Sequence, residues 1–237
     1  MSDFSGKSVM VLGGSRGIGA AIVRQFASAG AKVVFSYSGS PDAAVAVAAE
    51  TGATAVKADS ANRDELIAAV AAAGALDIMV VNAGVAIMGD PLTLDPDAVD
   101  RLIDINVRAA YFASVEAGRL MQDNGRIIII GSVNGDRVGW PGATAYALSK
   151  SAVQGIGRGL ARDFGPRGIT VNVVQPGPVD TDMNPAGGPL AKMMHAGMAI
   201  KRHATADEVA SLVLYLASPT AAMITGTTHT IDGGVGI

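Results

Sequence analysis

The chain has 237 residues, of which 49% are hydrophobic and 16% are charged, and its formal net charge is −3. This composition excludes an intrinsically disordered chain, which combines low hydrophobicity with high net charge. The negative charge argues against binding to nucleic acid polymers or to anionic membranes. The lack of cysteine excludes disulfides, thiolate catalysis and cysteine-ligated metals. Because the sequence shows neither a membrane-spanning apolar run nor a secretory signal, we expect a cytoplasmic protein.

Strand and helix patterns alternate along the whole chain. Short apolar runs predict strands at residues 7–12, 31–37, 53–57, 77–81, 126–130, 169–174 and 227–231. Helical patterns cover residues 18–29, 41–50, 62–73, 96–121, 144–164 and 205–217. This alternation predicts an α/β protein with a three-layer Rossmann fold, in which a doubly wound parallel sheet of about seven strands carries helices on both faces. No linker or repeat interrupts the pattern, so we expect a single domain over residues 1–237.

The glycine-rich segment after the first predicted strand is typical of a dinucleotide-binding turn. Its glycines are spaced G-x-x-x-G-x-G and lead into the first predicted helix. Glycine permits a tight turn and a close approach of the backbone to a pyrophosphate, whose charge a helix N-terminus favours. The candidate cofactor-binding residues of this turn are Gly13, Ser15, Arg16, Gly17, Ile18 and Gly19.

The same segment also matches the G-x-S-x-G nucleophile elbow of α/β-hydrolases, with Ser15 as the nucleophile. A hydrolase would also need a downstream aspartate and one of His195, His203 or His229. In those enzymes the elbow lies on an inner strand that other strands precede, whereas here it follows the first strand. A serine hydrolase is therefore kept as a remote alternative.

Tyr146 and Lys150 lie four residues apart in a predicted helix, so their side chains share one helix face. A free tyrosine titrates near ~10, which makes it a poor base at neutral pH. An ammonium group fixed beside the phenol lowers its pKa, so we expect Lys150 to make Tyr146 a usable general acid or base. Ser132, directly after the fifth predicted strand, is placed to hold a substrate carbonyl or alcohol by a hydrogen bond.

In this order and at these spacings, the glycine turn, Asn82-Ala83-Gly84, Ser132 and the Y-x-x-x-K pair resemble the short-chain dehydrogenase/reductase family. The resemblance covers nearly the whole chain and implies hydride transfer between a nicotinamide and a carbonyl or alcohol substrate. It implies that Asn106 links Lys150 to solvent and completes the catalytic set, and that residues 182–204 form a lid over the substrate. The further cofactor contacts that it implies are Asp59 at the adenine, Asn82, Ala83 and Gly84 near the sheet, and Pro176, Gly177, Val179 and Thr181 near the nicotinamide.

Three positions depart from the usual pattern of that family. Leu12 replaces a threonine before the first glycine, and Val81 replaces an asparagine at the end of the fourth strand. The stretch from Ser132 to Tyr146 is about one residue longer than is common, around residues 135–137. The resemblance also implies a homodimer or homotetramer that pairs through the two long helices at about 96–121 and 144–164.

The end of the second predicted strand indicates which nicotinamide cofactor binds. NAD-preferring relatives carry an acid there, which binds the ribose 2′-hydroxyl. Here Tyr37 occupies that position between Ser36 and Ser38, whose hydroxyls can donate hydrogen bonds. Arg16 in the glycine turn is placed to meet a 2′-phosphate. We therefore expect NADP(H) as the cofactor.

Residues 130–137, 175–178 and 199–203 also resemble a bacterial member of the family that binds cyclic-di-GMP. This likeness implies an alternative of another class, a protein that lowers the free concentration of this signal and promotes biofilm dispersal. Arg158 and Arg162 have the R-x-x-x-R spacing of other cyclic-di-GMP binders, but Arg162 lies about 120° around the helix from Lys150. We expect any such binding to overlap the NADPH site near Arg16, where a helix N-terminus favours phosphate.

Overall fold

A computed structural model describes residues 3–237 of the chain. The strands of this part are β1 (Ser8–Leu12), β2 (Lys32–Tyr37), β3 (Thr54–Lys57), β4 (Leu76–Val81), β5 (Met121–Ile130), β6 (Thr170–Pro176) and β7 (Thr228–Ile231). Within residues 3–237 they form one seven-stranded sheet with the order β3-β2-β1-β4-β5-β6-β7. Every neighbouring pair is parallel. The predicted doubly wound α/β fold is confirmed.

Helices cover both faces of this sheet. In the described residues they are α1 (Gly17–Ser28), α2 (Pro41–Thr51), α3 (Arg63–Ala71), α4 (Pro96–Ile103), α5 (Ala109–Leu120), α6 (Thr144–Phe164), α7 (Ala191–Ala196) and α8 (Ala206–Ala217). Helices α1, α2 and α8 pack on one face of the sheet, and α3, α5 and α6 pack on the other.

The strand side chains alternate between the two hydrophobic cores. Val9 and Val11 of β1 lie in the core under α1 and α8, whereas Met10 and Leu12 lie in the core under α3 and α5. The isoleucine run of β5, residues 127–130, divides in the same way. Successive strand residues point to opposite faces, so a strand that is covered on both sides must be apolar throughout. This requirement explains why the central strands are continuous apolar runs.

The chain changes direction across the sheet at β1, which pairs with β2 on one side and with β4 on the other. Leu12 and Val81 are register partners, so the segments that follow β1 and β4 begin side by side. In an open α/β sheet, the crevice at such a switch point is the usual place for a ligand. The fold therefore brings the glycine turn and the segment that begins at Asn82 to one edge.

The helix that was predicted over residues 96–121 runs without a break over residues 96–120, but its hydrogen-bond pattern changes within it. It is divided into α4, a π-helical turn at Asp104–Arg108, and α5. A π-helical turn inserts one residue into the regular helical repeat, and such turns are frequent at functional sites. Asn106 lies at the centre of this turn and is buried.

Residues 177–204 form a long segment that contains residues 182–204, which were predicted as a lid. Its ends are joined by a parallel bridge between Val179 and Ala204, and α7 lies within it. Met183 and Met193 expose 64% and 55% of their surface, so apolar side chains of this segment face outward. In the described part of the chain, no helix is both long and apolar enough to cross a membrane.

Candidate active site

The glycine turn is packed so closely that larger residues would not fit. Gly13 has a φ of +78°, which L-residues rarely adopt, and a Cβ atom there would lie 2.8 Å from the Cα of Ala83. A Cβ on Gly19 would lie 2.0 Å from the carbonyl oxygen of Gly13. The glycines thus allow the end of β1, the start of α1 and residues 82–83 to come together.

The N-terminus of α1 is free to hold an anion. Its N-cap residue, Arg16, has extended backbone angles, and in the described residues no side chain caps the helix and no acidic residue lies in its first turn. The first N–H groups of a helix have no partner within the helix, and the helix dipole adds partial positive charge there. This turn fits the pyrophosphate of a dinucleotide, as predicted.

Asn82 fastens the segment after β4 to the glycine turn. Its side-chain amide donates a 2.7 Å hydrogen bond to the carbonyl oxygen of Gly13. The backbone N–H groups of Asn82 and Ala83 both donate to the carbonyl oxygen of Leu12, at 3.1 Å and 2.7 Å. The structure therefore gives Asn82 the steadying contact that the family resemblance implied.

Ser36, one of the three hydroxyl residues at the end of β2, contacts the glycine turn. It is buried, with 1% of its surface exposed, and its hydroxyl accepts a 3.0 Å hydrogen bond from the N–H of Gly13. Its carbonyl oxygen accepts another, at 2.9 Å, from the N–H of Gly14. This side chain therefore holds the glycine turn on β2, and a hydrogen bond from its O–H to a 2′-phosphate stays a prediction.

Tyr37 and Ser38 remain at the end of β2, half-buried and exposed respectively. Arg16 also reaches solvent, and its Nη1 lies 3.7 Å from the Oδ2 of Asp182 in the lid segment. This contact was not predictable from the sequence, because ion pairs between distant loops leave no local sequence pattern. The side chains around the expected 2′-phosphate position are therefore two hydroxyls and one guanidinium, with the Asp182 carboxylate beside Arg16 in the lid segment.

Asp59 follows β3 on the same edge of the sheet. Its carboxylate accepts hydrogen bonds from the N–H of Ala61 at 3.0 Å and from Arg101 at 3.1 Å. Partial burial alone would raise the pKa of Asp59, but these two donors outweigh it, and the pKa lies below its ordinary value. Asp59 is therefore a fixed carboxylate at the position implied for the adenine.

Lys150 is enclosed at the centre of the candidate site, with 5% of its surface exposed. Its ammonium group donates a 3.0 Å hydrogen bond to the carbonyl oxygen of Ile130, at the end of β5. Burial disfavours the charged form and lowers the pKa of Lys150 to about 8. A Cβ on Gly84 would lie 3.5 Å from this Nζ, so the segment after β4 also borders the lysine.

Tyr146 lies one helical turn before Lys150, and the lysine Nζ is 5.8 Å from the centroid of its ring. Burial raises the pKa of the Tyr146 phenol above its ordinary value, while hydrogen bonding with Ser132 acts in the opposite direction. The expectation that Lys150 lowers this pKa below the ordinary value is wrong for this structure. The lysine is bonded to Ile130, and the loss of hydration around the phenol dominates.

Asn106 is held by both ends of its side-chain amide. Its Oδ1 accepts from the N–H of Val85 at 2.9 Å, and its Nδ2 donates to the carbonyl of Val85 at 2.9 Å and to the hydroxyl of Ser149 at 3.0 Å. The π-helical turn thus connects the segment after β4 to helix α6. Its link to Lys150 through water stays a prediction.

The segment after β6 also faces the glycine turn. Pro176 ends β6, and the N–H of Gly177 donates a 3.0 Å hydrogen bond to the carbonyl oxygen of Ile231. A Cβ on Gly17 would lie 3.1 Å from the methyl group of Thr181. Residues from the ends of β1, β4, β5 and β6 are therefore assembled at one edge, where the sequence analysis placed the cofactor.

The geometry gives no support to the hydrolase alternative. The Nε2 of His195 lies 2.6 Å from the Nδ1 of His203, and the Nε2 of His229 lies 2.6 Å from the hydroxyl of Thr227. Among the described residues, no histidine is hydrogen-bonded to Ser15. The Ser–His pair that a hydrolase needs is therefore not formed.

A parallel Rossmann sheet with a phosphate-binding glycine turn and a tyrosine beside a buried lysine defines a dinucleotide-dependent oxidoreductase. The family model described as enoyl-(acyl carrier protein) reductase matches residues 13–236. The chain belongs to the short-chain dehydrogenase/reductase family.

Two known proteins and one crystal structure illustrate this relationship. The cyclic-di-GMP-binding biofilm dispersal mediator protein of Escherichia coli (strain K12) is 62% identical over 236 residues, which is 100% of both chains. The 3-oxoacyl-[acyl-carrier-protein] reductase MabA of Mycobacterium bovis is 35% identical over 99% of this chain and 94% of its own. The crystal structure of BdcA in complex with NADPH is 63% identical, with a TM-score of 0.96 over 97% of this chain and 94% of that one.

Proposed function

We propose that this protein is an NADPH-dependent oxidoreductase that transfers hydride between the nicotinamide and the carbon of a carbonyl or alcohol substrate. The observation that carries the proposal is the position of Tyr146 and Lys150. Lys150 is buried and Tyr146 is half-buried, on one helix face, at the sheet edge that also carries the glycine turn. Ser132 lies beside the phenol at the end of β5.

The residues of the glycine turn fit NADPH better than NADH. The free N-terminus of α1 suits the pyrophosphate, and Arg16 with Tyr37 and Ser38 provides a cation and hydroxyls for a 2′-phosphate. A carboxylate at the end of β2 would repel that phosphate, and Tyr37 stands there instead. The relative that is 63% identical was crystallised with NADPH, which supports the same assignment.

The protein side chains supply proton transfer and orientation, while bound NADPH supplies the hydride. Because the pKa of Tyr146 is raised, its phenol keeps a proton at neutral pH and donates it to the alkoxide that develops on the substrate oxygen. Ser132 holds that oxygen by a hydrogen bond. The buried charge of Lys150 then favours the phenolate that remains after transfer. A proton-bearing Tyr146 favours carbonyl reduction over alcohol oxidation near pH 7.

The substrate class follows from the surface of the lid. Met183 and Met193 are exposed, and methionine adapts to apolar surfaces of varied shape. We therefore expect a carbonyl compound with an apolar portion. The test measures NADPH oxidation with acetoacetyl-CoA, ethyl acetoacetate, cyclohexanone and 2,3-butanedione, after fluorescence titration with NADPH and NADH. Saturable turnover of one compound supports the proposal, whereas tight NADPH binding without any turnover of these compounds counts against it.

Binding of cyclic-di-GMP is a second candidate function, since the relative that is 62% identical is named for it. The two phosphates of this ligand suit the free N-terminus of α1 beside Arg16. We expect competition with NADPH, because both ligands would use that helix end. Calorimetry of cyclic-di-GMP into apo and NADPH-saturated protein tests this. Undiminished affinity in the saturated protein would point to another surface, such as the exposed Arg158 and Arg162 on α6.

A further inference from the structure

The turn that carries Ser132 is folded tightly onto helix α6. The N–H of Gly135 donates to the carbonyl oxygen of Ser132 at 2.9 Å, and the carbonyl of Gly135 accepts a 2.7 Å hydrogen bond from the hydroxyl of Ser151. A Cβ on Gly135 would lie 2.8 Å from the carbonyl oxygen of Lys150. The turn therefore rests on the helix directly after the tyrosine–lysine pair.

A closed triangle of side chains fixes the far end of this turn. Gln154 of α6 donates from its Nε2 to the Oδ1 of Asp136 at 2.8 Å and to the Oε1 of Gln175 at 2.7 Å. Gln175 of β6 donates from its Nε2 to the Oδ2 of Asp136 at 2.6 Å. Gln175 has 0% of its surface exposed. The triangle thus joins three elements at a partly buried point, where the loss of one bond is costly.

We infer that Asp136, Gln154 and Gln175 are positioning residues that hold Ser132 at the correct distance from Tyr146. Asp136 is the next residue after the short helical turn at Val133–Gly135, and its own N–H donates to the carbonyl of Val133 at 3.0 Å. Pinning Asp136 to α6 and β6 therefore fixes the turn that begins at Ser132. This inference rests on the proposed function, because it assigns the triangle to the same reaction.

The pattern of donors and acceptors makes the triangle specific for an ionised carboxylate. Gln154 donates from one nitrogen to both of its partners, so Gln175 must turn its Oε1 towards Gln154 and its Nε2 towards residue 136. Residue 136 must therefore accept a hydrogen bond at both of its side-chain oxygens. An asparagine at 136 would leave two donors or two acceptors facing each other, whichever way the amides are turned. The exchange of Asp136→Asn together with Gln175→Glu restores every bond, with the carboxylate moved to β6 and the net charge unchanged.

The experiment compares Asp136→Asn, Gln175→Glu and the double variant with wild-type protein. We expect each single variant to lower kcat at least tenfold while the Kd for NADPH stays within twofold. The double variant should recover to within threefold of the wild-type kcat. Asp123→Asn is the matched control, because Asp123 pairs with Arg167 at the opposite end of β5 and its loss should leave kcat unchanged.

A spectroscopic readout makes the inference independent of turnover. In protein labelled with carbon-13 at tyrosine Cζ, the resonance of Tyr146 among the four tyrosines is assigned by its absence in Tyr146→Phe. Its shift reports hydrogen bonding of the phenol at pH 7. We expect it to move in each single variant, to return in the double variant and to stay unchanged in Asp123→Asn.

Two results would overturn the inference: a single variant with wild-type kcat and an unmoved resonance, or a folded double variant without recovery. If the single variants do not fold, Gln154→Leu, at a half-buried position, replaces them and should give the same loss and the same resonance shift. A resonance that moves and returns as expected in a protein without carbonyl turnover would uphold the positioning and refute the proposed reaction.

Discussion

The ammonium group of Lys150 donates a 3.0 Å hydrogen bond to the carbonyl oxygen of Ile130, across the gap between helix α6 and the end of β5. This bond links the helix that carries the tyrosine to the strand that leads into Ser132. A buried ammonium with a single neutral acceptor loses hydration, which lowers the pKa of Lys150 to about 8. The proposed reaction needs the positive charge of Lys150, and this group therefore titrates only slightly above neutral pH.

The first prediction concerns the pH dependence of carbonyl reduction. Lys150 is protonated below its pKa of about 8 and loses its charge above it, whereas Tyr146, with its raised pKa, keeps its proton over this range. We expect kcat/KM to be level from about pH 6 to 7.5 and then to fall as Lys150 titrates in the free enzyme. Steady-state rates measured in constant-ionic-strength buffers test this. A level profile up to pH 10 would be incompatible with the assigned role.

The second prediction concerns stability. The folded-state pKa of Lys150 lies below its unfolded value of 10.5, so the unfolded chain binds more protons between about pH 8 and 10.5. Stability from this group therefore rises with pH over that window. We expect Lys150→Met to raise the free energy of unfolding by about 1–3 kcal/mol at pH 7, with a gain that shrinks towards pH 10.5.

Urea unfolding at pH 7 and at pH 10 measures this gain. Lys32→Met is the control, because Lys32 is exposed and its replacement should change stability little at either pH. A Lys150→Met protein that is less stable than the wild type at pH 7 would show that the buried ammonium does not destabilise the folded state.

The third prediction concerns the choice of cofactor. We expect the protein to bind NADPH at least tenfold more tightly than NADH, a difference of about 1.4 kcal/mol. Arg16→Ala should reduce the difference between the affinities for NADPH and NADH. Tyr37→Asp should favour NADH, because the new carboxylate repels the 2′-phosphate of NADPH. Asp182→Asn removes the carboxylate 3.7 Å from Arg16 and should not weaken NADPH binding. Fluorescence titration measures all four proteins, and equal wild-type affinities would refute the assignment.

The fourth prediction concerns assembly through helix α6. Gly155 and Gly159 are exposed, and apart from the neighbouring turns of α6 itself no described residue comes within 4 Å of a Cβ built on either. These small residues therefore face outward, and Leu148 exposes 57% of its surface. Such a face lets a second copy approach closely. We expect a dimer or tetramer by light scattering, and Gly155→Arg should weaken it. A wild-type mass near 23.8 kDa at micromolar concentration would contradict this prediction.

The strands themselves and the phosphate-binding turn were predictable because their signals are local, whereas the order of the strands in the sheet comes from the structure. Apolar runs indicated every strand, and the glycine spacing indicated the turn after β1. The bounds of some elements were not predicted: β5 begins at Met121, which pairs with Leu76, whereas the sequence indicated a start at residue 126. The polar residues at 122–124 do not have the apolar pattern of a strand, so the sequence did not predict that β5 extends over them. Their strand conformation depends on pairing with β4.

The finer parts of the site were less predictable. The π-helical turn around Asn106 was not predicted, because the sequence indicated only one helix over this stretch. Asp136 and Gln175 were visible only as polar residues near the expected site, and their bonds with Gln154 depend on how β6 and α6 pack together. A pair of functional residues within one helix can be predicted from the sequence, whereas contacts between different helices and strands become visible only in the structure.

The fifth prediction tests the central claim, that Tyr146 transfers the proton in an NADPH-dependent reaction. We expect Tyr146→Phe to lower kcat at least about 100-fold, because a phenyl ring has no proton to give. The Kd for NADPH should stay within about twofold, since the hydroxyl is lost without change to the glycine turn. The measurement is the rate of NADPH oxidation with the best carbonyl substrate, beside a fluorescence titration of the same variant. A lost rate with retained NADPH binding is the predicted result, and turnover equal to that of the wild type would contradict the account.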